Sequence, residues 1–133
     1  MTSPVLIVDD DLDLLEFLRA FVEGRFSVAT LGVTDGGSVL SRVRTEKPAL
    51  ILLDVNLPVR NGLDVLADLK ADWSTRTIPV IVMSAGADAR NERKALSFGA
   101  VAYVDKPFDL SDLETLIEAY VPIPKRCASI GAS

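Results

Sequence analysis

The stretch Ala49-Leu50-Ile51-Leu52-Leu53-Asp54-Val55-Asn56-Leu57-Pro58-Val59-Arg60-Asn61-Gly62 limits the possible folds of this chain more than any other. Its four consecutive large aliphatics, set between Pro48 and a Pro-x-x-x-Gly loop, are the pattern of a strand buried on both faces. Such strands belong to parallel sheets covered by helices. Asp54 sits where the strand stops. Open α/β sheets bind ligands in the crevice outside the carboxyl ends of their strands, where apolar walls strengthen charge interactions. Asp54 is therefore a candidate reactive carboxylate, set against one ordinary role: Asp also caps the turn after a strand.

The pattern recurs along the chain. Pro4 to Val8 predicts a second buried strand, which ends in Asp9-Asp10-Asp11. Asp11 can cap a helix whose Leu14, Leu15, Leu18, Phe21 and Val22 recur at helical spacing until Gly24 stops it. Phe26 to Thr30 reads as a short strand. Asp35 to Glu46 reads as a weaker amphipathic helix, loosened at its start by Gly36 and Gly37 and ended before Pro48. After Gly62, the residues Leu63, Leu66 and Leu69 predict a third helix, which breaks into a polar connection over 72–77. Ile78 to Met83 predicts a fourth strand, leading into Ser84-Ala85-Gly86. Residues 88–98 have helical composition but almost nothing apolar before Ala95, so this helix has little to bury and is the expected mobile element. Val101 to Val104 predicts a fifth strand, ending in Asp105-Lys106-Pro107-Phe108. The last helix starts near 109–111, with Ser111 and Glu114 spaced as a capping box and Leu113, Leu116, Ile117 and Tyr120 on its apolar face; Pro122 and Pro124 end it.

Strands alternating with helices in this way predict an α/β fold: a doubly wound, five-stranded parallel sheet with helices on both faces and right-handed crossovers. With 133 residues and 49% apolar composition, one domain over 1–121 and a flexible C-terminal tail over 122–133 are expected. No apolar run approaches a membrane span and no signal peptide is visible, so a cytoplasmic protein without membrane insertion is expected. A net charge of -5 with no basic cluster argues against direct nucleic acid binding. The single cysteine, Cys127, and the absence of histidine remove disulfides, zinc sites and histidine-based acid/base catalysis. Any phosphohistidine chemistry must therefore come from another protein.

In a parallel sheet the strand ends point one way, so Asp9, Asp10, Asp54, Ser84 and Lys106 should converge. Singly, each has a bland role as a solvated acid, a cap or a surface lysine. Jointly, three carboxylates repel unless a cation joins them, and oxygen ligands with retained water suit Mg²⁺. Three aspartates, one lysine and one divalent ion are neutral together, so the pocket could accept an anionic phosphoryl group. Asp54 would attack phosphorus, the metal and Lys106 would neutralise its oxygens, and the Ser84 hydroxyl would donate to one of them.

From about residue 4 to 121 the chain resembles the response-regulator receiver domain of two-component signal transduction. The resemblance is carried by Val-Asp-Asp-Asp after the first strand, Leu-Asp-Val-Asn-Leu-Pro-x-x-x-Gly, Met-Ser-Ala, and Phe-Gly-Ala-x-x-Tyr-x-x-Lys-Pro-Phe. It implies a flavodoxin-like sheet of order 2-1-3-4-5 and a cis peptide before Pro107. It implies that Asp54 is the phosphoacceptor, supplied by a histidine kinase or histidine phosphotransfer protein. Mg²⁺ would sit on Asp10, Asp54 and the Asn56 backbone carbonyl, with Asp9 supporting it through water, while Ser84 and Lys106 would bind the phosphoryl group. Ser84 and Tyr103 would act as switch residues. Signal would leave through the fourth helix, fifth strand and fifth helix to a downstream protein target, with homodimerisation on phosphorylation left open. No turnover of an external substrate is expected, and a stand-alone receiver, or one excised from a larger protein, is.

Three rivals bear weighing. An Asp-nucleophile phosphohydrolase of the dehalogenase type shares Asp9-x-Asp11 after a strand, but Asp13 stands where Thr or Val belongs and no late acidic pair follows a strand. An EF-hand built on Asp9, Asp11 and Asp13 has Leu14 in place of the required Gly and Ala20 in place of the bidentate Glu. A module of the same fold that works without phosphorylation is the remaining alternative.

Overall fold

The computed structural model describes residues 3–86 and 89–121. In chain order the elements are β1 (Val5–Val8), α1 (Leu12–Phe26), β2 (Thr30–Val33), a 3₁₀ turn (Gly36–Ser38), α2 (Val39–Glu46), β3 (Leu50–Asp54), α3 (Gly62–Ala71), β4 (Val80–Ala85), α4 (Ala89–Ser97), β5 (Ala102–Lys106) and α5 (Leu110–Glu118). All strands pair in parallel, in the order β2-β1-β3-β4-β5. The expected doubly wound sheet is thus the observed one.

Side-chain alternation along the buried strands divides the core in two. Leu6, Val8, Ile51, Leu53, Val80 and Val82 pack against α2, α3 and Ala95 of α4. Val5, Ile7, Leu50, Leu52, Ile81 and Met83 pack against Leu15, Leu18, Val22 and Phe26 of α1 and Leu113 and Ile117 of α5. Every residue of β1 and β3 is buried, which is why both read as unbroken apolar runs. Only Ala95 of α4 is buried, as that helix's composition implies.

Several boundaries differ from expectation. Gly24 does not stop α1: the helix runs on to Phe26, which completes the buried stripe of Leu18 and Val22, and ends at Ser27 in the left-handed conformation (φ 52). Phe26 therefore belongs to a helix, and β2 begins only at Thr30. Thr30 is pinned to α1, its hydroxyl accepting from Arg19 Nε at 3.0 Å and donating to Glu23 at 2.6 Å. Asp35 caps the 3₁₀ turn by accepting from the Ser38 N–H, so α2 proper starts at Val39. The Ser111/Glu114 capping box is not made. Asp109 caps α5 instead, accepting from the Ser111 N–H at 2.8 Å, and Glu114 pairs with Arg25 of α1 at 2.7 Å. Strands β4 and β5 continue past their apolar runs, which places Ser84 and Lys106 inside them. The expected tail over 122–133 lies outside the described residues. No described helix is long and apolar enough to cross a membrane.

Candidate functional site

β1 and β3 are central neighbours, so the carboxylates at their ends meet. Asp9 follows β1 directly, with its N–H donating to the Val33 carbonyl of β2 at 3.0 Å. Its side chain is fully buried. One oxygen accepts the Asp11 N–H at 2.9 Å and the other accepts Lys106 Nζ at 2.8 Å. Asp54, the last residue of β3, is also buried. Its Oδ1 lies 3.4 Å from the same ammonium. Lys106 thus bridges the two carboxylates from the opposite edge of the sheet. Asp10 is exposed beside them.

One oxygen from each of Asp9, Asp10 and Asp54 lies within 4.8 Å of the others. Three carboxylates against one ammonium leave two negative charges, and the donor set consists of hard oxygens. A divalent ion with ligands at about 2.1 Å fits this envelope after slight closure. The Asn56 N–H is directed at the Asp54 carboxylate.

Burial pushes the Asp54 carboxyl above the usual carboxylate range, aided by the Asp9 charge and opposed by Lys106 and the Asn56 N–H. Burial alone would lower the Lys106 ammonium, but its hydrogen bond to Asp9 and the charges of Asp54 and Asp9 outweigh this and hold it higher. A carboxyl that binds its proton more tightly folded than unfolded costs stability once ionised, and that cost fades as the pH falls through the folded pKa toward the unfolded value. In chelator at neutral pH, Asp54→Asn should raise the melting temperature by about 3–6 °C, and the gap should close as the pH approaches about 4. An equal gap at both pH values would show that ionisation of the buried carboxyl is not its cause.

Ser84 is buried on β4, one residue past Met83, the pairing partner of Asp54. Among the described residues its hydroxyl reaches the neighbouring Ala85 carbonyl, at 3.5 Å, the long limit of a hydrogen bond. Tyr103, on β5 opposite Val82, packs on the cluster beneath α3 and α4. Its hydroxyl is buried with no hydrogen-bond partner among the described residues. The Lys106–Pro107 peptide is cis.

The sequence presents Gly36 only as a helix loosener, yet it shapes the loop after Asp54. A Cβ there would overlap the Arg60 carbonyl, and its N–H donates to the Pro58 carbonyl at 3.0 Å. A Cβ at Gly62 would likewise overlap the carbonyl oxygen of Asp54 itself. The visible signal was a glycine pair where a strand passes into a helix.

A family model described as the response regulator receiver domain matches residues 5–118. The DNA-binding response regulator MtrA of Mycolicibacterium smegmatis (strain ATCC 700084 / mc(2)155) is 38% identical over 120 residues, 90% of this chain and 50% of that protein. The chain spans about half the length of the curated relatives it matches. The signal receiver domain of a DNA binding response regulator (merR) from Colwellia psychrerythraea 34H superposes with a TM-score of 0.81 at 25% identity, covering 87% of this chain and 95% of that one. The receiver domain of sensor histidine kinase PA1611 from Pseudomonas aeruginosa PAO1, which has a magnesium ion coordinated in its active site cleft, gives 0.81 at 22% identity, covering 91% and 98%. That last likeness concerns the fold. The expected exclusion of a direct nucleic acid partner does not stand, because MtrA is a DNA-binding response regulator. The net charge of -5 describes these 133 residues, while the match covers 50% of MtrA, so the acidity here says nothing about what the other half of MtrA contacts.

Proposed function

The chain belongs to the response regulator receiver domain family, and from that premise we propose that it takes a phosphoryl group onto Asp54 from a histidine kinase or histidine phosphotransfer protein, with Mg²⁺. The observation that carries this reading is a buried carboxylate at a strand end, bridged to a second buried carboxylate by one ammonium. An Asp54 oxygen bonds to phosphorus as the bond to the donor's imidazole nitrogen breaks. The electron pair returns to the imidazole, which takes up a proton. Lys106 faces the phosphoryl oxygens, and the Ser84 hydroxyl, whose contact among the described residues is the Ala85 carbonyl at 3.5 Å, donates to one of them. Asp10, Asp54 and the Asn56 carbonyl would hold Mg²⁺, with Asp9 supporting it through water. The ion supplies positive charge to the transferring group.

Ser84 moving inward draws Tyr103 after it, and the α4–β5–α5 face changes. Two features support this: a Tyr103 hydroxyl with no hydrogen-bond partner to forfeit among the described residues, and an α4 that buries little. The switched face acts on a downstream target, by homodimerisation or by contact with another protein, and DNA is among the candidate targets of the whole protein, as it is for MtrA. The chemistry ends with self-phosphorylation and autodephosphorylation, without turnover of an external substrate. Residues 1–121 form the receiver unit, with 122–133 as its tail.

Intact mass after incubation with Mg²⁺ and acetyl phosphate tests the proposal. One labile phosphoryl group should appear on the parent and none on Asp54→Ala. A gain on both would move the acceptor to another carboxylate. No gain on either, with Mg²⁺ bound, would favour the phosphorylation-independent module.

A further inference from the structure

Val59 is a β-branched residue at φ 72, a backbone region that branched side chains almost never enter. It forms the centre of a three-residue turn closed by the Arg60 N–H donating to the Pro58 carbonyl at 2.8 Å. This is the rare, strained form of the γ-turn. Val59 is 85% exposed, so burial does not compensate for the strain.

The clamps that keep the turn shut lie around it. The Pro58 carbonyl accepts a second hydrogen bond, from the Gly36 N–H at 3.0 Å. The Arg60 guanidinium holds Asp68 of α3 through two contacts, at 2.6 and 3.0 Å. Gly37 lies against the Val59 side chain so closely that a Cβ there would sit 2.7 Å from Cγ1. The other end of the loop is fixed as well: the Val55 N–H donates to the Met83 carbonyl at 2.9 Å, and its carbonyl accepts from the Gly62 N–H at 2.7 Å. Between the pinned residues Val55 and Pro58 lie only Asn56 and Leu57.

An outlier held in place by its surroundings, beside a reactive group, is where strain has a functional consequence to be sought. We propose that Val59 is a positioning residue that holds down the divalent-cation affinity of the Asp9, Asp10 and Asp54 cluster, by biasing the γ-turn toward opening and so drawing the Asn56 carbonyl away from the carboxylates. The inference rests on the proposed cation site, with that carbonyl as a ligand. Valine's preference for negative φ works against the turn, and the clamps work for it. Apparent affinity then scales with the fraction of molecules whose turn is closed. Asn tolerates positive φ far better than a β-branched residue, so it lessens the bias without touching a clamp. Ile keeps the bias. Loss of the Arg60–Asp68 pair removes a clamp and leaves the bias.

The test is Mg²⁺ titration calorimetry on the parent, Val59→Asn, Val59→Ile and Arg60→Gln, alongside urea denaturation in chelator. Val59→Asn should bind more tightly by up to about twofold, the ceiling for a turn already closed in most molecules, and unfold at higher urea. Val59→Ile should match the parent, and Arg60→Gln should bind more weakly by a similar factor. A parent that binds no Mg²⁺ would remove the cation site and this inference with it. A parent that binds, with Val59→Asn stabilised but unchanged in affinity, would overturn the inference alone, because the strain would then be confined to the turn.

Discussion

Lys106→Met should destabilise the domain by about 3–5 kcal/mol in chelator, the cost of leaving a buried charge without its partner. Asp9 is fully buried, and among the described residues its side chain is held by the Asp11 N–H and, at 2.8 Å, by the Lys106 ammonium. The methionine keeps most of the stem's packing, so the loss reports on charge rather than on volume. Millimolar Mg²⁺ should restore part of it, since a cation that binds only the folded state at a hundred times its Kd adds about 2.7 kcal/mol. Urea unfolding with chelator and then with Mg²⁺ checks both halves. A variant as stable as the parent in chelator would mean that Asp9 is protonated, or solvated by rearrangement, at little cost. Phosphoryl uptake should fall sharply even where Mg²⁺ has restored the fold, because no ammonium then faces the transferring group.

Gly62→Ala should cost about 3 kcal/mol or more. The added methyl would sit 2.0 Å from the Asp54 carbonyl oxygen and 2.8 Å from the Val55 Cα, backbone atoms with no rotamer to move to. Relief requires α3 to back away from β3, which breaks the 2.7 Å hydrogen bond from the Gly62 N–H to the Val55 carbonyl. Gly24→Ala is the internal comparison. It adds the same methyl inside α1, where nothing lies within 4 Å, and should stabilise the domain by about 0.5–1 kcal/mol from helix propensity. Thermal melts of the two variants should move in opposite directions. A shift of the same sign in both would mean that backbone entropy, not contact, governs both glycines.

Asp9, Asp54, Ser84 and Lys106 could be read from the sequence for one reason: each ends or extends an apolar run, and a parallel sheet aims all its strand ends the same way. Which charge answers which could not be read. Nothing local says that Lys106 sits nearer to Asp9, at 2.8 Å, than to Asp54, at 3.4 Å, because that follows from sheet order and side-chain reach. The misplacement of β2 has a similar origin. Phe26 and Val28 alternate with polar neighbours as a strand would, while Phe26 also lies four residues after Val22, and the space under α1 decided between the two. Glu114 shows local spacing losing to tertiary contact: it has the register of a capping box, yet its carboxylate meets Arg25 on α1. Gly36 read as looseness because its constraint, the Arg60 carbonyl, comes from a segment remote in sequence. Val59 carried no signal at all, since its backbone angle is imposed by clamps outside its own sequence neighbourhood.

The reach of Lys106 across the sheet also bears on how the chain is made. Synthesis runs from the amino end, and Asp9 and Asp54 both emerge well before Lys106, which closes the last strand. A nascent chain that has already paired β1 with β3 holds two buried carboxylates side by side with no ammonium between them. Until β5 docks, that half-built sheet must protonate a carboxyl, admit water or hold a dissolved cation. The counter-charge that neutralises the pocket is thus also the latch that registers the arrival of the final strand, and a ribosome-stalled fragment ending before residue 106 should be the form of this protein whose compactness depends most on divalent ions.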